Sequence, residues 1–395
     1  MTLRTMPDLG DDRFYATTDP TALWRELVDA DAVVWTGPDS GHNGFWSVFS
    51  HRACAEVLAG DAPFTSEYGM FIGFDRQNPD SGGGRMIVVS EGEWHGRLRA
   101  AINSHLTRAM SGPLAAVVEA ELRDFVGRAR AEEVTDVAAR FASSLPNTVV
   151  CELLGVPVED RERLRNLTGY AVGAPDDPAR MSPSTAHLEI MVYFSELIRE
   201  RLRRPREDLV SHLLHDAGLA PNDVLVNCDN IFAAGNATTQ FSVAGAFHAL
   251  ATTPQALDLV RGDHKAVRPA VEEVLRWTTP GPHVLRVAVE DVQINGQRIA
   301  RDSPVVTWLA AANRDPRVFP DPDRFDVRRH PNRHLSFGFG PHYCVGAALA
   351  RMELRMLVEV LAAEVRRVWP AGEPQRLRAN KVNGYRRLPV RFEWR

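Results

Sequence analysis

Apolar residues along this chain recur mostly three and four positions apart. With their capping signals, they predict helices over 20–30, 51–59, 91–109, 113–131, 137–155, 158–171, 185–204, 206–215, 221–252, 254–261, 267–277 and 345–366. Alternation of period two is short and mostly late: 284–290, 292–296 with its Asn-Gly turn, 304–310 and 388–394, after one early strand over 43–50. The pattern predicts a mainly α fold with small β-sheets. The 221–252 helix would run about 48 Å at 1.5 Å per residue, enough to cross a domain. Residues 60–90 and 172–186 follow neither period. Loops of that length are commonly functional, and Phe64, Tyr68, Phe71 and Phe74 predict a lid or pocket wall in the first.

Composition narrows this picture. A 395-residue chain that is 44% hydrophobic can bury a substantial core. A net charge of −5 gives no reason to expect nucleic acid as a partner. Cys54, Cys151, Cys228 and Cys344 are far apart and lack disulfide or zinc spacing. The acidic N-terminus has no apolar core of a signal peptide, so a cytoplasmic location is expected. The most apolar stretch, 230–251, is broken by Asn230, Asn236, Thr238, Thr239, Gln240 and His248, which argues for a buried helix and no membrane span.

The candidate chemistry centres on "FGFGPHYCVG", Phe337 to Gly346. Gly338, Gly340 and Gly346 permit close approach or unusual backbone, Pro341 stiffens the loop, and a helix pattern follows at once. Cys344 therefore falls near a helix N-terminus, where free N–H groups favour an anion and should lower a thiol pKa. Four uses of one cysteine remain open on local grounds: inert burial, a nucleophile with a base, a zinc ligand needing partners the chain does not space, or a single axial thiolate to haem iron. Elsewhere, Glu273 and Arg276 in "EEVLR" share a helix face, as do His95 and Arg99 in "EWHGRLR". The latter pair suits a carboxylate clamp. In the middle of the long helix, Ala233, Ala234 and Gly235 let something bulky approach, while Thr238 and Thr239 can bond back to carbonyls one turn earlier.

Together these segments resemble the soluble bacterial cytochromes P450 over nearly the whole chain. "FGFGPHYCVG" matches the family's haem-loop pattern F-G-x-G-x-H-x-C-x-G; "EEVLR" matches E-x-x-R; "AANRDPRVFPDPDRFD" (311–326) matches the segment before the haem loop; "AGNATT" (234–239) falls at the distal helix motif. The resemblance implies a P450 fold whose long distal helix crosses the haem, in a single domain over 1–395 with no fused reductase. It implies haem b and O2, with Cys344 as iron ligand. His342, His95, Arg99, Arg286, Phe337, Gly338, Gly346 and Ala234 would lie around the haem. Glu273, Arg276 and Arg329 would form a buried structural network. Thr238 and Asn236 would hold water for proton delivery. Phe71, Met86, Ile87, Phe232, Ala233, Val284, Leu285 and Tyr385 would line the substrate pocket. The function implied is monooxygenation of a small hydrophobic or ring-bearing metabolite in bacterial natural-product biosynthesis, free or on a carrier protein. Electrons would come from NAD(P)H through a ferredoxin and its reductase, to a monomeric enzyme. One position departs from the family: Ala237 stands where it places an acid, which leaves room for oxidative cyclisation, coupling or desaturation without net oxygen insertion.

Overall fold

The computed structural model describes residues 6–38, 41–171 and 181–395. Its helices are α1 (Asp12–Thr17), α2 (Thr21–Asp29), α3 (His51–Leu58), α4 (Gly92–Met110), α5 (Pro113–Arg130), α6 (Ser144–Leu154), α7 (Arg161–Ala171), α8 (Pro183–Arg203), α9 (Leu209–Ser211), α10 (Pro221–Thr252), α11 (Ala256–Gly262), α12 (Val267–Thr278), α13 (Leu309–Ala312) and α14 (Ala347–Glu364). Strands are β1 (Val33–Thr36), β2 (Phe45–Val48), β3 (Phe64–Thr65), β4 (Thr135–Asp136), β5 (Val284–Ala288), β6 (Val292–Ile294), β7 (Gln297–Ile299), β8 (Pro304–Thr307), β9 (Val365–Pro370), β10 (Gln375–Arg376), β11 (Tyr385–Arg387) and β12 (Pro389–Trp394). The mainly α architecture with small sheets is as expected.

One five-stranded sheet has the order β1-β2-β8-β5-β3; β2 and β8 are parallel and the other pairs antiparallel. A three-stranded sheet, β4-β12-β9, ties the C-terminus to residues 135–136, and β6–β7 and β10–β11 are separate hairpins. The largest core cluster gathers apolar faces of α4, α5, α6, α8, α10, α12 and α14. A second cluster, around Trp24, Phe49 and Trp308, lies against the five-stranded sheet.

α10 begins at Pro221, whose fixed φ and missing N–H suit a first helical turn. It runs to Thr252, as its periodicity predicts. A Cβ on Gly235 would stand 2.8 Å from Val150 Cγ2, so this glycine lets α6 cross α10 closely. The expected helix at 137–155 is divided: a π turn at Ala138–Ala142 precedes α6. Pro146 cannot donate to the carbonyl of Ala142, which frees that end of the ladder. The expected helix at 206–215 likewise becomes α9 and a π turn, His212–Asp216. The last helix ends at Glu364, and Val365 begins a strand, because β12 arrives from residues 389–394 to pair with it. Sequence periodicity did not reveal β1 either, whose partner is β2.

The long segment 60–90 is built rather than loose. Asp75 accepts from the N–H groups of Gln77 and Asn78, and the N–H of Leu285 reaches Met70 O at 2.9 Å. Asn227 of α10 accepts from Ile87 N at 2.9 Å and donates to Arg85 O at 3.1 Å. Of the expected connection at 172–186, residues up to 180 lie outside the described residues. Among the described residues, no helix is long and apolar enough to cross a membrane.

Candidate active site

The cysteine loop is held from three sides. Cys344 N donates to Phe337 O at 2.8 Å and Gly338 N to Leu335 O at 2.8 Å. Gly338 and Gly340 both have φ of +72°, and a Cβ on Gly340 would stand 2.3 Å from Leu58 O of α3. Gly346 differs from expectation: its φ is an ordinary −85°, and it lies against the cysteine sulfur. Phe337 is buried, with the Arg351 guanidinium 4.6 Å over its ring.

Cys344 is open to a water-sized probe, while Cys54, Cys151 and Cys228 are buried. Its thiol is nonetheless raised by desolvation, which outweighs the Gly346 and Ala347 N–H groups and the charges of Arg99 and Arg351 that favour the thiolate. The expected lowering by the helix N-terminus is thus overruled by burial. Its sulfur keeps accessible surface even though the surrounding protein desolvates the thiolate. On α10, Ala233 and Ala234 are exposed, with Phe232 and Asn236 beside them buried.

Beside the loop, Arg99, Arg286, His95 and His342 gather around one carboxylate, Glu91. His95 and His342 rings lie 4.3 Å apart. His342 Nε2 meets Glu91 Oε2 at 3.2 Å and Ser66 Oγ at 3.3 Å, while His342 Nδ1 and His95 Nε2 are buried without partners among the described residues. Arg286 is 5% exposed, and its side chain bonds the carbonyl of its own neighbour, Leu285, at 2.9 Å. Burial lowers its pKa to about 10. His95 is lowered by desolvation and then by the charges of His342, Arg99 and Arg286, against one opposing carboxylate, Glu91. Burial works against ionised Glu91, but bonds from His342 and Ser66 outweigh it and hold the group at about 2. Glu91 is a site residue that sequence reading missed; its spacing of four from His95 was the available signal.

Such a collection is unfavourable unless anions complete it. Haem b fits: it brings two propionate carboxylates to the unmatched donors and iron to a cysteine that faces open space. These are properties of the donor set in this chain.

Glu273, by contrast, is fully satisfied. Arg276 donates to both of its oxygens at 2.8 Å, Arg329 to both at 3.2 and 3.1 Å, Asn332 Nδ2 at 3.0 Å and Asp326 N at 2.9 Å. Glu273 and Arg276 side chains are both 0% exposed.

Thr238 Oγ1 donates to Ala234 O at 2.9 Å, the back-bond its type predicts. Asn236 departs from expectation: it is buried and donates to Phe232 O at 2.8 Å, because this face of α10 packs into the core rather than toward open space. Phe232, Ile87 and Leu285, expected as pocket walls, are buried. Phe232 packs edge-on against Phe194, 5.3 Å away. Phe71, Met86, Ala233 and Val284 keep accessible surface. Tyr385 stacks on His248 at 4.8 Å and lines a separate cavity of about 280 Å³. No residue of the cysteine loop lines that cavity. Ala237 is closed into a small apolar cluster with Phe241 and Leu377.

Residues 185–363 match the Cytochrome P450 family model. The chain is 31% identical to Cytochrome P450 NovI of Streptomyces niveus, over 98% of this chain and 96% of NovI. It is 53% identical to the crystal structure of P450 OxyD, involved in the biosynthesis of vancomycin-type antibiotics, with a TM-score of 0.93 over 99% of this chain and 100% of that one. P450BioI, solved in complex with a fatty-acid-ligated acyl carrier protein, is 28% identical with a TM-score of 0.83, over 95% and 99% of the two chains. With relatives aligned along nearly its whole length, the chain belongs to the cytochrome P450 family of haem b oxidoreductases.

Proposed function

We propose that this enzyme is a monooxygenase that oxidises a small hydrophobic or ring-bearing metabolite in bacterial natural-product biosynthesis, free or carried on a carrier protein. The observation that supports it most is the group of arginines and histidines, with buried ring nitrogens unpartnered among the described residues, beside the one exposed cysteine. Arg99, Arg286, His95 and His342 hold the propionates. Cys344 ligates the iron, with Phe337 and the Gly338–Gly340 turn fixing the loop that presents it. When bound, haem held through Cys344 would supply oxygen activation. The chain's own part is to position and desolvate. Ala233 and Ala234, exposed on α10, would leave room for haem and substrate, and Phe71, Met86 and Val284 would border the substrate. Thr238 can turn its hydroxyl from Ala234 O to hold a water. Arg351 is not a free docking charge for a donor protein: it bonds both oxygens of Glu272 at 2.7 and 2.9 Å. Exposed Arg333, shortly before the cysteine loop, is a candidate contact for an acidic ferredoxin.

A second reading is favoured by Ala237. Packed with Phe241 and Leu377, it offers no proton-carrying group at the position where the family places its relay. Oxidative coupling, cyclisation or desaturation would suit that site. Turnover with a surrogate ferredoxin, ferredoxin reductase and isotopically labelled O2 tests the two. Label in the product supports insertion; an oxidised, unlabelled product supports the second reading; and protein with no thiolate-ligated haem spectrum would overturn both.

A further inference from the structure

We propose that Asp229 selects substrates bearing a positively charged nitrogen. The inference rests on the oxidase reading of the chamber and concerns what its entrance admits. Asp229 stands on α10 one helical turn before Ala233, so the two share a side of the helix. Ala233 is one of the two exposed residues in the middle of that helix. Asp229 thus lies at the end of the open strip, where α8 and the 80–87 segment converge on α10.

A comparison with Asp223, two turns earlier, brings out what is unusual. Asp223 is paired with Arg85 at 2.8 Å. Among the described residues, Asp229 has no arginine or lysine partner. Its ion-pair contact is with His187 of α8, whose Nδ1 lies at 3.6 Å, beyond hydrogen-bonding distance. Oδ1 of Asp229 is buried and accepts no hydrogen bond among the described residues, while the His187 side chain is 51% exposed. Burial pushes the Asp229 carboxyl up to about 6; His187 opposes the shift and Asp80, from the 60–90 segment, adds to it. A buried carboxylate with an incomplete partner set is costly, and a cation placed beside it recovers that cost. An arginine like Arg85 would pair the carboxylate within the chain. A half-exposed histidine at 3.6 Å leaves room in the charge balance for a ligand cation. An alkylammonium supplies that charge, and exposed Ala233 lies one turn further along the same side of α10.

The test uses the full-length holoenzyme and two probes of nearly equal shape, phenethyltrimethylammonium and its neutral tert-butyl isostere. The quaternary nitrogen carries charge but has no lone pair to offer iron. In equilibrium dialysis at pH 7.5, the native enzyme should bind the charged probe at least about ten-fold more tightly than the neutral one. Asp229→Asn should abolish that preference and leave the affinity for the neutral probe unchanged, and Asp229→Glu should restore part of it. Between pH 5 and 7.5, the preference of the native enzyme should grow as Asp229 ionises, while the Asn variant stays flat. Equal binding of the two probes by the native enzyme, or equal weakening of both by Asp229→Asn, would overturn the proposal. Spectra of the same samples keep the two readings apart. A thiolate-ligated haem without charge preference refutes this inference alone, whereas absence of that haem refutes the oxidase reading beneath it.

Discussion

Two buried charged regions of this molecule are built on opposite terms. At Glu273, every lone pair of the carboxylate meets a donor, and the donors come from α12 and from the 326–332 segment. Around Arg286, His95 and His342, one carboxylate serves three basic side chains, and His95 Nε2 and His342 Nδ1 have no partner among the described residues. The first region completes itself and holds two chain segments together. The second is incomplete and calls for a ligand. The lesson is that buried charge does not distinguish scaffold from site; unmet hydrogen-bonding capacity does.

Removing one partner on each side should therefore produce opposite signs. Glu273→Ala leaves Arg276 and Arg329 buried without their anion, and should cost about 3–5 kcal/mol in denaturant unfolding, with or without haem. Arg286→Leu removes a buried cation that the apoprotein does not pair. Apoprotein stability should stay level or rise, while haem affinity falls at least about ten-fold, measured by haem transfer to a competing acceptor. A large loss of apoprotein stability in Arg286→Leu would erase the contrast.

A smaller effect is expected at Ala237→Glu. The new carboxyl would enter the apolar cluster of Phe241 and Leu377, costing about 1–3 kcal/mol in thermal unfolding. Product formed per electron consumed should fall as well. Improved coupling at unchanged stability would show that the missing acid is a simple defect.

The smallest effect is a pH dependence. Glu91 and Glu272 are both held at about 2, below the ordinary 4.5: Glu91 by His342 and Ser66, and Glu272 by His334 and Arg351, in each case against burial. A depressed carboxyl pKa contributes stability that is complete above 4.5 and is lost as pH falls toward 2. The melting temperature should decline over that window, and Glu91→Gln should remove part of the slope. Glu91→Gln should weaken haem binding only slightly at neutral pH, because it leaves Arg99 and Arg286 in place.

Much of this protein was legible in its sequence. Period fixed α10 from Pro221 to Thr252 and the strands near 284–307, because an amphipathic or wholly apolar run carries its own signal. The cysteine loop, the Glu273–Arg276 pair and the His95–Arg99 pair were legible because each lies within a few residues of its partner. Only the tertiary structure decided what depends on distant segments. β9 exists because β12 returns to pair with Val365–Pro370. Asn236 and Phe232 turn inward because α10 is packed on its outer side, so the helix face toward the chamber is narrower than its small residues suggested. Glu91 meets His342 across 251 positions of sequence. Whether a buried charge is satisfied is a property of everything around it, and no local stretch of sequence contains that information.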